Sequence, residues 1–300
     1  MGLSKDISCE IDASVQNRAA DHITRTGLMG YRLIALDIDG TIRSQEHPLS
    51  ERTRRAVARV RDAGATVTLA TGRIFSSAAR SSADLDITTP IATSQGAHIA
   101  DPVSGELLWH RPLTTDMALA ALDALAADNA AGMEIVAYHQ NQVYVSELTE
   151  WAEAYGRRND VNVEVVGDLR DVAAQELTRL VVVGDNAGVR ELEASLLARF
   201  DSSLHITRSL PHFCEILHPQ GGKDKAMEWL CDYHGIGYHE TIAFGNGYND
   251  VRMLKWASLG VAIGGAVPEV LAVADRVSPP MEEDGVAQVL EDLLDKGLIG

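Results

Sequence analysis

From Tyr31 onward, short apolar runs alternate with segments of helical period, and that alternation constrains the fold more than any other feature of the chain. Leu33-Ile34-Ala35-Leu36 is continuously apolar, the pattern of a strand buried on both faces. Ser50 then stands as a helix N-cap ahead of Ala56, Val57, Val60 and Ala63 on one face, with Gly64 as the stop. Val67-Thr68-Leu69-Ala70 and Pro90-Ile91-Ala92-Thr93 read as the next strands. The same texture returns late in the chain. Lys223 opens a helix ending near Gly235, Thr241–Phe244 and Gly260–Ile263 are strands, and Val286, Val289, Leu290, Leu293 and Leu294 line a final amphipathic helix. Strand–helix–strand alternation predicts an α/β fold with a Rossmann-like parallel-sheet core.

The stretch between differs. Met117–Ala127 reads as a helix, Glu134–Tyr138 and Gln142–Val145 as strands around His139-Gln140-Asn141, and Leu180–Val183 as a strand before a helix over about 189–200. Strand pairs mixed with helices predict an inserted α+β cap domain over 101–209, which splits the core into 31–100 and 210–300. Residues 1–30 have mixed polar composition and no apolar signal core; with Met29 just before the first strand, they are expected to be a disordered N-terminal extension or the product of an upstream start.

Length and composition agree with two domains: 300 residues, 46% hydrophobic, carry enough apolar material for a sizeable core. No run approaches the ~18 apolar residues of a membrane span. The net charge of −17 repels phosphate backbones and anionic lipid, arguing against nucleic-acid or membrane partners. Small anionic substrates stay open if a local cation or metal overrides that field. Cys9, Cys214 and Cys231 form an odd set without a CxxC pair, so they read as reduced thiols of a cytoplasmic protein. Cys231 and His234 share a helix face, but two groups do not make a metal site.

In open α/β sheets, ligands collect at the carboxyl ends of strands. Three strand ends carry polar clusters: Asp37-Ile38-Asp39-Gly40-Thr41, Thr71-Gly72-Arg73, and Gly245-Asn246-Gly247-Tyr248-Asn249-Asp250. Each alone fits a cap or turn. All three together, with Lys223 at a helix start, point to one site. Rival motifs fail. Gly221-Gly222-Lys223 lacks the spacing of a P-loop, and Gly245-x-Gly247 lacks the last glycine of a dinucleotide fingerprint.

The order and spacing of these clusters resemble the haloacid dehalogenase (HAD) superfamily, in particular the Cof-like phosphatases, and the resemblance runs from about Tyr31 to the C-terminus. Ser94-Gln95-Gly96-Ala97 resembles the segment that precedes the cap in that branch. The resemblance implies a Mg²⁺-dependent phosphomonoester hydrolase acting through an aspartyl-phosphate on a small phosphorylated metabolite, a sugar phosphate or phosphorylated cofactor. It implies that Asp37 is the nucleophile and that Asp39 protonates the leaving oxygen and then deprotonates water. Thr71, Gly72, Lys223 and Asn249 would bind the phosphoryl oxygens. Asp37, the Asp39 carbonyl, Asn246 and Asp250 would hold the metal. The family usually has Asp where this chain has Asn246, which removes one charge from the metal site. Phosphoryl transfer to an organic acceptor, as in a phosphotransferase or mutase, and a non-enzymatic phospholigand-binding module with a degenerate metal site at Asn246 stay open beside hydrolysis. Asp39 favours a hydrolase, because P-type ATPases lack this second acid and a binder has little need of it. Tyr138, His139, Tyr144, His212 and His218 of the cap, and Arg43 after the first cluster, are candidates for facing the substrate as well as for packing or surface roles. The sequence leaves the oligomeric state open.

Overall fold

The computed structural model describes residues 30–127 and 132–300, so the extension expected over 1–30, Cys9 included, lies almost wholly outside the described residues. The core begins with β1 (Leu33–Leu36), α1 (Glu51–Asp62), β2 (Thr66–Leu69) and α2 (Phe75–Asp84). Then follow β3 (Ile91–Thr93), β4 (His98–Ala100) and β5 (Leu107–His110). The middle stretch contributes α3 (Thr115–Ala127), β6 (Glu134–His139), β7 (Gln142–Val145), α4 (Glu150–Asn159), β8 (Val163–Val165), β9 (Arg179–Val183), α5 (Asn186–Phe200), β10 (His205–Leu210) and β11 (Phe213–Leu217). The chain closes with α6 (Lys223–His234), β12 (Thr241–Gly245), α7 (Val251–Trp256), β13 (Leu259–Gly264), β14 (Arg276–Pro280) and α8 (Gly285–Asp295).

The core sheet has the order β14-β13-β12-β1-β2, and every pairing in it is parallel. Side chains alternate across a strand, so β1 feeds two layers at once. Ile34 and Leu36 pack with Val57, Val60, Val286 and Leu290 of α1 and α8. Leu33 and Ala35 face the other way, onto Ala226, Met227 and Leu230 of α6. All four β1 residues are fully buried, as their unbroken apolar run requires. Ser50 caps α1 as expected, its Oγ accepting the Thr53 N–H at 3.0 Å.

Register decides where the chemistry falls. Leu36 pairs with Phe244 on one side and with Leu69 on the other. The residues that follow these three, at 37, 245 and 70, therefore emerge side by side at one edge.

The cap sheet runs β10-β11-β9-β6-β7-β8, antiparallel except for β7·β8. Strand pairing runs across both boundaries expected from the sequence. β4 pairs with β3 on one side and β5 on the other, in a three-stranded sheet that runs to His110 and is tied to the core through the Ala70–Ala92 bridge. At the far end, β10 and β11 continue to Leu217 inside the cap sheet, past the expected limit at 209. The crossing into the cap lies between Arg111, whose N–H donates to the Ala97 carbonyl, and Leu113, whose N–H donates to that of Leu177. Cys214 and Cys231 are buried free thiols. Among the described residues no helix is long and apolar enough to cross a membrane.

Candidate active site

Asp37 ends β1. Its N–H donates to the Phe244 carbonyl at 3.1 Å, and the residue is only 5% exposed. Lys223, the first residue of α6, is buried beside it and donates from Nζ to Asp37 Oδ1 at 2.7 Å and Asp250 Oδ1 at 2.6 Å. The second oxygen of Asp250 accepts the backbone N–H groups of Asn246 and Gly247, both at 2.9 Å. Asp250 thus ties the third cluster to the lysine, and both its oxygens are engaged.

Two acids share one lysine in a dry setting. Burial, set against the Lys223 charge and reinforced by Asp250 and Asp39, pushes the Asp37 carboxyl up to about 7. Burial pulls Lys223 toward the neutral form, but Asp250 and Asp37 outweigh it and hold the ammonium firmly protonated.

The donor set suits a hard divalent cation. Asp37 Oδ2 and Asn246 Oδ1 lie 3.1 and 3.0 Å from the same Thr41 hydroxyl, which has one proton and serves one of them at a time. Two oxygens converging on half a donor, beside an excess of negative charge, are what Mg²⁺ binds well. Among the described residues no three His, Cys, Asp or Glu side chains converge as a metal cage, so such a site draws on the Asn246 amide and on backbone oxygen. Gly40, at φ +82°, is packed against Asn246: a Cβ there would fall on Nδ2.

Asp39 stands apart from this buried set. Its side chain is about half exposed and is held by Arg73, with Nε and Nη2 donating to its two oxygens at 2.8 and 2.6 Å. Thr71 is buried, and its Oγ1 accepts the Arg73 N–H at 3.2 Å. Asn249 donates from Nδ2 to Gln95 Oε1 at 2.9 Å.

Asp37, Asp39, Thr71, Gly72, Asn246 and Asn249 open onto one cavity of about 660 Å³ between core and cap. That is far more room than a phosphoryl group needs and matches a small-molecule site. On the cap side the walls include Tyr138, Trp151, Tyr155, Arg179, Phe213 and Glu215. Trp151 and Tyr155 are stacked at 5.1 Å, and the Arg179 guanidinium lies 4.6 Å from the Tyr138 ring centre.

Of the cap candidates, Tyr138 and His212 reach the cavity and the other three do not. His139 bonds the Glu176 carbonyl, Tyr144 donates to Gln175 at 2.5 Å, and His218 Nδ1 accepts the Gln220 N–H. Arg43 does line the cavity, paired with Asp84 at 2.9 Å. Trp151, Tyr155, Arg179 and Glu215 are absent from the residues singled out by sequence. The first two sit on α4, whose signal is Glu150 and Glu153 in the first turn and Arg157 and Arg158 in the last.

The sequence profile of the family described as haloacid dehalogenase-like hydrolase matches residues 34–290, nearly the whole described chain. The chain belongs to the haloacid dehalogenase-like hydrolases. Within that family it is similar to the 5-amino-6-(5-phospho-D-ribitylamino)uracil phosphatase YitU of Bacillus subtilis (strain 168), with 30% identity over 263 residues, 87% of this chain and 96% of the relative. It is 29% identical over 246 residues to the HMP-PP phosphatase of Cronobacter sakazakii, covering 80% of this chain and 87% of that one. The crystal structure of a haloacid dehalogenase-like hydrolase from Bacteroides thetaiotaomicron superposes with a TM-score of 0.72 at 25% identity, covering 88% of this chain and 99% of the other. These relatives agree with the Cof-like haloacid dehalogenase phosphatase that the motifs imply.

Proposed function

We propose that this haloacid dehalogenase-type phosphatase is a Mg²⁺-dependent phosphomonoesterase that passes the phosphoryl group of a small metabolite to Asp37 and then to water. The observation that carries the reading is the placement of Asp37 against Lys223 at the base of a cap-covered cavity, with a second, solvent-facing carboxylate two residues along.

The residue types divide the work. Asp37 attacks phosphorus through a carboxylate oxygen, and the leaving oxygen departs with a proton from Asp39. Asp39 then takes a proton from the water that attacks the aspartyl-phosphate, which restores Asp37 and frees phosphate. Lys223, the Gly72 N–H, Thr71 and Asn249 receive the charge that develops on the phosphoryl oxygens. Asp37, the Asp39 carbonyl and Asn246 would hold Mg²⁺, with Asp250 supporting them from behind through Lys223 and the amides of 246 and 247. Mg²⁺, when bound, supplies the positive charge that lets an anionic nucleophile approach an anionic ester.

A sugar phosphate or phosphorylated cofactor is the substrate class this reading favours. The names of the two phosphatase relatives support it, and so does the aromatic cap wall, which suits a leaving group with a ring. The two buried free thiols support a cytoplasmic setting. The deciding experiment measures phosphate release from a panel of metabolite esters with and without Mg²⁺, with organic acceptors added in parallel. Mg²⁺-dependent phosphate release supports hydrolysis. Transfer to an acceptor in preference to water would make the chain a phosphotransferase, and no turnover at any Mg²⁺ concentration would make it a binding module.

A further inference from the structure

One buried polar chain crosses from core to cap and touches two phosphate-binding positions. In the core, Asn249 Nδ2 donates to Gln95 Oε1 at 2.9 Å, and Gln95 Nε2 donates onward to Glu215 Oε1 of β11 at 2.6 Å. Glu215 Oε2 accepts Arg179 Nη1 of β9 at 2.7 Å, and the same Nη1 donates back to the Gly72 carbonyl at 2.7 Å. The path is closed: it leaves the core at Gln95 and returns at Gly72.

Three features make this more than cap packing. The Arg179 and Glu215 side chains are 5% and 3% exposed, and a pair so deeply buried forfeits enough hydration to be a weak source of stability. Gln95 and its neighbour Ser94, both buried, sit at φ +60° and +49°, a left-handed backbone that is unfavourable for residues other than glycine. That conformation delivers the Gln95 amide to the junction, where a Cβ on Gly72 would collide with its Nε2. Finally, Arg179 lies on Tyr138, a cavity wall, so a leaving group seated under the cap touches the same chain.

We infer that Gln95, Glu215 and Arg179 are positioning residues that make the alignment of Gly72 and Asn249 conditional on a seated cap. This rests on the phosphatase reading for its purpose but not for its test. With the cap seated, Arg179 fixes the Gly72 carbonyl and with it the orientation of the adjoining peptides, while Glu215 holds the Gln95 amide that fixes Asn249. With the cap lifted, both restraints go at once. The core then binds phosphoryl groups poorly until the leaving group has drawn the cap down.

Gln95→Met and Glu215→Gln, singly and together, test the coupling across the boundary without removing a phosphate ligand. Gln95→Met keeps the Glu215–Arg179 pair and so spares the cap. Two quantities are read on the folded protein in Mg²⁺ buffer: calorimetric affinity for inorganic phosphate, and kcat and KM for an ester the protein turns over. Each single variant is expected to weaken phosphate binding about tenfold, and the double variant by the same factor rather than the product, because both cut one chain. Turnover should fall through kcat as well as KM. Unchanged phosphate affinity in Gln95→Met, or additive losses in the double variant, would overturn the inference and leave a structural pair. If no ester is turned over but the phosphate affinities show the non-additive pattern, the phosphatase reading fails and the coupling stands.

Discussion

Arg73 holds Asp39 by both carboxylate oxygens, at 2.6 and 2.8 Å, and so fixes the direction in which the second acid of the site faces. The pair is part-exposed, so its worth to stability is expected to stay below about 1 kcal/mol. Its effect should appear in the kinetics. Arg73→Lys loses the two-pronged grip and is expected to lower kcat roughly tenfold for esters with basic leaving groups, and less for activated aryl esters, which need little protonation. Asp39→Asn should steepen the same dependence further. Rates across esters of graded leaving-group basicity check both variants; a uniform loss would remove Asp39 from the acid role.

Asp37→Asn is expected to reduce turnover by on the order of 10⁴-fold, because the amide does not replace the nucleophile. The fold should survive. A carboxyl pushed up to about 7 binds its proton more tightly in the folded chain than in the unfolded one. In metal-free buffer that contribution is fully present below the ordinary carboxyl pKa of 3.8 and is lost as pH rises through about 7. Asn cannot ionise, so the variant's Tm should fall less between pH 5 and 8 than that of the unaltered protein. Thermal melts in EDTA across that range provide the check, and a steeper fall in the variant would contradict the assignment.

The core is legible in the sequence almost element by element, because a parallel strand buried on both faces writes itself as an unbroken apolar run. Leu33–Leu36 and Ile242–Phe244 are such runs, and the polar residues soon after them line the candidate site. The cap was less legible. β11 reads Phe213-Cys214-Glu215-Ile216-Leu217 and β9 begins at Arg179, so each apolar run carries a charge that argues against burial. Those two charges neutralise each other across strands far apart in sequence, and one-dimensional patterning does not register such a pairing. The same blindness placed the cap boundary at 209, since β10 and β11 join the cap sheet by pairing with β9 and not through any local signal. Asp39 was identified as a candidate acid, but only the folded chain brings Arg73 onto it.

His98 and His110 provide a pH-dependent stability near the crossing into the cap. Their rings are 6.0 Å apart; His98 Nδ1 meets Thr93 Oγ1 at 2.9 Å and His110 Nε2 meets Thr178 Oγ1 of the cap at 3.0 Å. Burial first, and repulsion from a neighbouring histidine second, lowers each to about 4. A depressed histidine stabilises the fold above its ordinary pKa of 6.5, and that stability is lost as pH falls through about 4. The two together are expected to account for about 2–4 kcal/mol of acid destabilisation, after allowing for the partial exposure of His110. His98→Gln and His110→Gln should each flatten the fall of chemical-denaturation midpoints between pH 6.5 and 4. An unaltered slope in both variants would show that these rings titrate freely.

Asn246 is the position where the proposed metal site departs from the pattern that the motif resemblance implies. Its Oδ1 shares the Thr41 hydroxyl with Asp37 Oδ2, so the amide oxygen already points where a carboxylate oxygen would serve. An amide attracts a divalent cation less than a carboxylate does, and neither oxygen of Asp250 is free to make up the difference, because Lys223 and the 246 and 247 amides hold them. Activity is therefore expected to need high Mg²⁺, and Asn246→Asp to lower the half-saturating concentration about tenfold, equivalent to ~1.4 kcal/mol. The opposing effect is repulsion. A third carboxylate beside Asp37 and Asp250 raises the cost of the metal-free state and, with it, the Asp37 pKa. Repulsion destabilises the metal-free fold and is relieved by a bound cation, so the variant should melt lower in EDTA and recover more on adding Mg²⁺. The raised Asp37 pKa works the other way at neutral pH, because its proton must leave before the metal binds. Mg²⁺ titrations of activity and of Tm, run on both forms, separate the terms. A half-saturating concentration unchanged or raised in Asn246→Asp would mean that the amide is the better ligand in this setting, with its Nδ2, packed against Gly40, holding the oxygen in place.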